Sequence, residues 1–166
     1  GMQIDQQPGA THIYLQAAIT EALQEYGLQE IRPVKTPSDK AITLKDSPTQ
    51  AEPSFHSRYR SMTGSLTYIA MKGRPDISHA TSMVSRYNSN PDQTHQDAVN
   101  RIFAYLKGTI DYGTCYSDNT KLLEGFVDSD FSGCPDTSRS TTGWIFMLGG
   151  APISWQSQRQ GSISHS

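Results

Sequence analysis

The sequence predicts an α+β fold with an N-terminal β-hairpin and helix, a helical middle segment and a C-terminal antiparallel β-sheet. Three observations lead to this prediction. A Pro8-Gly9 turn separates two short extended runs, apolar residues recur at helical spacing between Arg58 and Leu106, and short runs of strand formers follow Asp111. Only 35% of the 166 residues are hydrophobic, so a core forms only if most apolar positions turn inward.

The first predicted unit comprises residues 1–31 and combines the hairpin with one helix. The helix is expected from Gln16 to Tyr26, because its apolar residues fall on one face and Gly27 follows as a helix-ending residue. That face consists of Ala18, Ile19, Ala22, Leu23 and Tyr26. Residues 32–54 contain four prolines among polar residues, a composition typical of an extended linker.

Residues 55–110 form a predicted helical unit of three helices. The first is expected to end at Arg74-Pro75, because the residue before a proline avoids helical backbone angles. The second runs to about Tyr87. The third begins with Asn90 as its N-cap and Pro91 as its first residue.

Three residues of these helices carry separate expectations. Gly64 lies inside the first helix at a cost of about 1 kcal/mol relative to alanine, so it is expected to permit close helix packing. His95 and Arg101 fall off the apolar face of the third helix. His95 is therefore interpreted as a surface residue rather than a ligand.

Charge is unevenly distributed along the chain. The net charge is −2, which gives no global indication of nucleic-acid binding. From Ser54 to Ile110, however, seven basic residues accompany three acidic ones. A basic middle segment suits a surface that follows a nucleic-acid backbone, and an ordinary solvated helical face is the alternative.

Residues 111–166 are predicted to form strands joined by turns. The expected strands cover residues 111–117, 122–128, 141–148 and 151–155. Gly149-Gly150 reads as the hairpin turn between the last two strands, and residues 132–136 form a turn-rich loop. Alternation places Phe126, Asp128 and Asp130 on one face, and an acidic residue at a strand end is one way to hold a divalent metal.

Sequence motifs in both halves of the chain carry a family resemblance. GFVDSDFSGCPDTSRSTTGWIFMLGGAPISWQSQRQ resembles the opening of the ribonuclease H domain of copia-type LTR-retrotransposon Pol polyproteins. Upstream, RSMTGSLTY, GRPDI and FAYLKGT are similar to motifs of the same family. Phe131 stands where the family usually has tryptophan, and Cys134 where it often has aspartate.

The resemblance implies a role for each predicted unit. Residues 1–31 correspond to the end of the reverse transcriptase with a thumb-like helix, residues 32–54 to a linker and residues 55–110 to a helical connecting region. Residues 111–166 correspond to a truncated ribonuclease H-like domain with an incomplete antiparallel sheet. An upstream reverse transcriptase domain is an implied partner.

The resemblance also implies site residues. Asp128 falls on the first metal-binding aspartate of the ribonuclease H site, where the family uses Mg²⁺. The implied substrate is an RNA/DNA hybrid or RNA template. The basic residues expected to contact it are Arg58, Arg60, Lys72, Arg74, Arg101 and Arg139.

Neither catalytic centre of the family is expected to be complete in this sequence. The polymerase motif of the family has no match among the residues present here. The other ribonuclease H carboxylates have none either, because Asp130 and Asp136 fit surface or loop roles. The fragment is therefore expected to be inactive. The alternatives are a non-catalytic remnant that binds nucleic acid or protein, and a degenerate fragment that does not fold stably.

Two further features bear on the cellular setting. Cys115 and Cys134 match no metal-binding pattern and are interpreted as free thiols in a reducing compartment, whether cytoplasmic or nuclear. No apolar run is long enough to span a bilayer, so no membrane association is expected.

Overall fold

The computed structural model describes residues 1–39, 41–117, 122–129 and 140–160. Within these residues the fold is α+β, with four α-helices and two three-stranded antiparallel sheets. The helices are α1 (Gln16–Glu25), α2 (Pro53–Lys72), α3 (Ser78–Ser85) and α4 (Gln93–Gly108). The strands are β1 (Gln3–Gln7), β2 (Ala10–Tyr14), β3 (Gly113–Ser117), β4 (Glu124–Ser129), β5 (Thr141–Leu148) and β6 (Ala151–Arg159).

The first sheet has the order β1-β2-β3 and confirms the predicted N-terminal hairpin. Gly9 makes the turn with φ of +80°, a conformation that residues with a Cβ rarely adopt. The third strand arrives after all four helices and pairs with β2, so that His12 lies opposite Cys115. The two ends of the helical segment are thereby held together.

The four helices enclose the main core. Aromatic and aliphatic side chains from all of them are buried, and Tyr59, Leu66 and Phe103 are completely inaccessible. Their spacing follows the apolar periodicity of the sequence, because each helix turns its apolar stripe inward. None of the helices in the described part of the chain is long and apolar enough to cross a membrane.

The segment that the composition predicts to be a linker packs against these helices. No helix or strand occurs in its described part before α2 begins at Pro53. This start is five residues before Arg58, where the helical spacing of apolar residues begins in the sequence. Leu44 is only 7% exposed, and its carbonyl accepts a hydrogen bond of 2.9 Å from the Tyr87 hydroxyl. The segment therefore contributes an apolar side chain to the core.

The start of α4 differs from the prediction. Asp92, rather than Asn90, is the N-cap, and its side chain accepts hydrogen bonds from the backbone N–H groups of Thr94 and His95. The His95 ring returns a bond by accepting from the Asp92 backbone N–H at 2.9 Å. This capping box turns His95 inward, so the prediction that His95 is a surface residue is wrong.

The prediction that Gly64 permits close helix packing is also wrong. A Cβ built at Gly64 would meet nothing within 4 Å, because the residue lies on the solvent-facing side of α2. Gly64 therefore destabilises the helix relative to alanine, and no close contact with a neighbouring element offsets this loss.

Gly64→Ala is accordingly expected to raise the free energy of unfolding by about 1 kcal/mol. The measurement is a comparison of thermal or urea unfolding between the two proteins. Gly108→Ala provides a matched control, because a Cβ there would lie 3.1 Å from the Pro33 Cβ and should bring no gain. A loss of stability in Gly64→Ala would contradict the open surroundings described above.

The second sheet has the order β4-β5-β6 and packs on α3. Gly149 and Gly150 form the predicted hairpin turn, with φ of +62° and +82°. Side-chain hydrogen bonds attach this sheet to the helices: for example, the Trp155 indole N–H donates to the Ala70 carbonyl at 2.9 Å, and Arg86 donates to the Thr141 hydroxyl at 3.0 Å. The predicted loop 132–136 lies outside the described residues.

Candidate functional site

An open groove lies between α3 and one face of the second sheet. Strand register defines its floor, because Asp128 on β4 lies opposite Gly143 on β5, which lies opposite Ser157 on β6. Directly opposed residues of antiparallel strands point to the same side, so these three positions share one face. With neighbouring strands about 4.8 Å apart, Asp128 and Ser157 lie about 10 Å apart across a position with no side chain.

The adjacent row of the same face is apolar. Phe126 lies opposite Ile145, which lies opposite Trp155. The predicted alternation that places Phe126 and Asp128 on one face is thus confirmed, whereas Asp130 lies outside the described residues. The Trp155 ring is held in place by its hydrogen bond to the Ala70 carbonyl. One row therefore offers polar groups at its ends, and the next offers a continuous apolar wall.

Residues of α3 and of the segment just before it form the side of the groove opposite the sheet. Pro75 and Ser78 line it together with His79, whose Nδ1 lies 3.4 Å from the Ser157 hydroxyl. The volume of this open groove is about 410 Å³. We call this feature, bounded by Asp128, Gly143, Trp155, Ser157 and His79, the Asp128 groove.

The metal-binding capacity of Asp128 is limited within the described residues. Asp128 lies on β4, where every residue is exposed. Among the residues that the structure describes, no three histidine, cysteine, aspartate or glutamate side chains come together as metal ligands. A two-metal site requires several carboxylates, so the described residues do not by themselves fit a pair of Mg²⁺ ions. Asp136, like Asp130, lies outside the described residues.

Three of the predicted nucleic-acid-binding residues are exposed on α2. Arg58, Arg60 and Lys72 all lie on its solvent-facing side. At 1.5 Å of rise per residue they extend over about 20 Å of helix. Arg58 also donates a hydrogen bond of 2.7 Å to the Tyr26 carbonyl, which fixes part of its guanidinium. We call these three exposed cations the outer face of α2, although Arg58 and Arg60 lie on opposite flanks of its buried stripe.

Arg74 is not part of this surface, and its predicted place there is wrong. Its side chain is 2% exposed and forms an ion pair of 2.8 Å with Asp76. The guanidinium also donates to the carbonyl and hydroxyl oxygens of Thr109 at 3.0 and 2.6 Å. Its Cζ lies 5.6 and 5.7 Å from the ring centroids of Tyr105 and Tyr112. Arg74 therefore connects the α2–α3 junction to the end of α4.

Tyr105 belongs to the same cluster. Its hydroxyl donates a hydrogen bond of 2.8 Å to Asp76. Burial raises the pKa of Tyr105 above its ordinary value, and the hydrogen bond to Asp76 raises it further. The phenol stays neutral as a donor, so the carboxylate of Asp76 is bound by both Arg74 and Tyr105.

The remaining basic residues of the middle segment mainly hold the fold. Arg101 is 30% exposed, lies 3.4 Å from an Asp39 carboxylate oxygen and donates to the Thr36 hydroxyl. Lys107 donates to the backbone carbonyls of Gln29 and Ile31. Arg139 lies outside the described residues. The positive charge counted in the sequence is thus only partly available to a ligand.

Comparison with known proteins identifies the family of the chain. Over nearly its whole length it is 32–34% identical to retrovirus-related Pol polyproteins from plant transposons. It is also 35% identical to a mitochondrial protein of Arabidopsis thaliana, of which it covers 68%. The chain belongs to the family of Pol polyproteins from copia-type transposons.

Three relatives show the extent of the similarity. The Pol polyprotein from transposon TNT 1-94 of Nicotiana tabacum is 34% identical over 99% of this chain and 13% of its own length. The uncharacterized mitochondrial protein AtMg00810 of Arabidopsis thaliana is 35% identical over 100% of this chain and 68% of its own length. The Pol polyprotein from transposon RE2 of the same plant is 32% identical over 100% of this chain and 11% of its own length.

The chain thus spans about a tenth of the transposon polyproteins that it matches. No protein-family model and no solved structure matches it.

Proposed function

We propose that the chain is the part of a copia-type Pol polyprotein that joins the end of the reverse transcriptase to the start of the ribonuclease H domain. Residues 1–31 would then be the reverse transcriptase end and residues 55–110 the connecting helices. The similarity to Pol polyproteins over nearly the whole chain carries this proposal. The antiparallel strands β4, β5 and β6, with Asp128 at the end of the first, are consistent with the opening of a ribonuclease H sheet.

Its contribution in this proposal is to bind an RNA/DNA hybrid along the outer face of α2. Arg58, Arg60 and Lys72 are the exposed cations of this helix, and a phosphate backbone is a ligand that exposed cations attract. Asp128 would supply the first carboxylate of a ribonuclease H site. Because no two further ligand side chains accompany it among the described residues, we expect the fragment to bind the hybrid without cleaving it.

Replacing Arg58, Arg60 and Lys72 together with glutamine is expected to weaken hybrid binding at low salt. Each phosphate contact that is lost should reduce the slope of log affinity against log salt by about 0.9. The measurement is fluorescence anisotropy of a labelled RNA/DNA hybrid over a range of salt concentrations. The same hybrid, incubated with Mg²⁺, is expected to stay intact.

A matched variant controls for net charge. Arg32, Lys35 and Lys45 are exposed outside α2, and their replacement with glutamine removes the same charge. If both triple variants lose affinity equally, the effect is one of total charge, and the outer face of α2 is not the binding surface. Cleavage that Asp128→Asn abolishes would show that the fragment is an active nuclease.

A non-catalytic remnant that binds nucleic acid is the second candidate function. The same absence of a three-ligand metal cluster among the described residues favours it. It shares the binding surface of the first candidate and differs in requiring no further ribonuclease H residues.

A further inference from the structure

The centre of the Asp128 groove is open because of one glycine. Gly143 lies between Asp128 and Ser157 in the strand register, so any side chain there would project into the groove. A Cβ at this position would meet only the Gln156 carbonyl oxygen, at 3.8 Å, which is ordinary contact. The packing of the protein therefore does not require a glycine at this position. The glycine is also unfavourable for the strand, because it weakens a strand interior.

One side of the groove is an apolar wall whose tryptophan is held in place by a hydrogen bond within the protein. Trp155 is fixed by its indole hydrogen bond, and Ile145 and Phe126 continue its row across the sheet. The Phe126 side chain is 56% exposed, so this wall is accessible to a ligand. An exposed, preformed aromatic wall favours a planar ring, which stacks without ordering the protein.

The polar groups of the groove indicate the character of that ring. Among the residues that the structure describes, none of the side chains that line it is lysine or arginine, and Asp128 is acidic, so these residues offer an anionic group no ion pair. His79 and Ser157 lie 3.4 Å apart at one side and each can donate or accept a hydrogen bond. The groove thus suits an uncharged heteroaromatic ring with hydrogen-bonding edges.

We propose that the Asp128 groove binds one unpaired nucleobase of a nucleic-acid strand. The base stacks on Trp155, its edge contacts His79 and Ser157, and the attached sugar and phosphate stay outside the groove, away from the Asp128 carboxylate. This inference rests on the proposed nucleic-acid-binding function and adds a second contact, separate from the outer face of α2. It also makes His79 of α3 a residue that contacts the base.

The natural fluorescence of the protein allows a direct test. The chain has two tryptophans, and Trp144→Phe leaves Trp155 as the only one. This variant is titrated with an RNA/DNA hybrid that ends in a short single-stranded extension and with a blunt hybrid of the same duplex. Quenching of Trp155 is expected with the extended hybrid only, together with about tenfold tighter binding, the effect of one base–aromatic stack.

Gly143→Val, made in the Trp144→Phe background, tests whether the groove itself is the site. Valine is a strong strand former and a Cβ at the position makes only ordinary contact, so the melting temperature should stay the same or rise. Its side chain fills the groove, so the preference for the extended hybrid and the quenching should both disappear. Ser154→Val is the control, because it adds the same side chain at an exposed position of β6 outside the groove.

His79→Ala should reduce the preference severalfold without changing the melting temperature, since His79 is exposed. Equal quenching by both hybrids, or an undiminished preference in Gly143→Val, overturns the inference. Binding that the outer-face variants weaken, without any change in Trp155 fluorescence, also overturns it but leaves the proposed function intact. Absence of hybrid binding in every protein overturns both.

Discussion

Arg74→Ala is expected to lower the free energy of unfolding by about 3 kcal/mol or more. The side chain is 2% exposed, and its removal leaves the Asp76 carboxylate without its ion-pair partner. Two hydrogen bonds to Thr109 disappear as well, so the end of α4 loses its connection to the α2–α3 junction. The cost is large because a buried ion pair and its hydrogen bonds are lost together, even though Asp76 keeps its hydrogen bond from Tyr105, whereas an exposed ion pair contributes little.

Urea unfolding followed by circular dichroism measures this effect. Arg60→Ala is the control, since Arg60 is exposed on α2 and should change stability by less than about 0.5 kcal/mol. Arg74→Lys should restore only part of the loss, because an ammonium group cannot reproduce the forked contacts to Asp76 and Thr109. Equal stability of Arg74→Ala and Arg60→Ala would show that the cluster does not hold the helices together.

The error on Arg74 shows where local sequence patterns stop being informative. The pattern Gly73-Arg74-Pro75 correctly predicts a helix end, because that depends on neighbouring residues only. The burial of Arg74 depends on Thr109, which lies 35 positions away in the chain. Neither the charge count nor the family resemblance includes that partner, so both place Arg74 on the surface.

The residues of the candidate site also fall into those that local sequence patterns predict and those that they do not. Asp128 and Phe126 could be placed on one face from alternation alone, since successive strand residues point to opposite sides. Ser157 and His79 were missed because their positions depend on the register of β5 with β6 and on the packing of α3 against the sheet. The one local indication was Gly143, a glycine inside a run of strand formers, which often marks a close approach.

His95→Ala is expected to lower the free energy of unfolding by about 2–4 kcal/mol, an effect that a surface histidine could not have. The ring is fully buried and stacks on Tyr87 with 4.0 Å between centroids. Its loss creates a cavity beside Tyr87 and leaves the Asp92 backbone N–H without its acceptor. The packing of Leu44 should weaken too, because its carbonyl is held by the Tyr87 hydroxyl.

Two comparisons separate these contributions. Asp92→Ala removes the N-cap of α4 but keeps the buried ring, so it should cost only about 1 kcal/mol. His79→Ala removes an exposed histidine and should cost less than about 0.5 kcal/mol. If His95→Ala proves no more harmful than Asp92→Ala, the ring contributes through the cap alone and its packing on Tyr87 adds nothing. A larger loss in His95→Ala would show that the predicted linker, α3 and α4 are joined through the stacked pair.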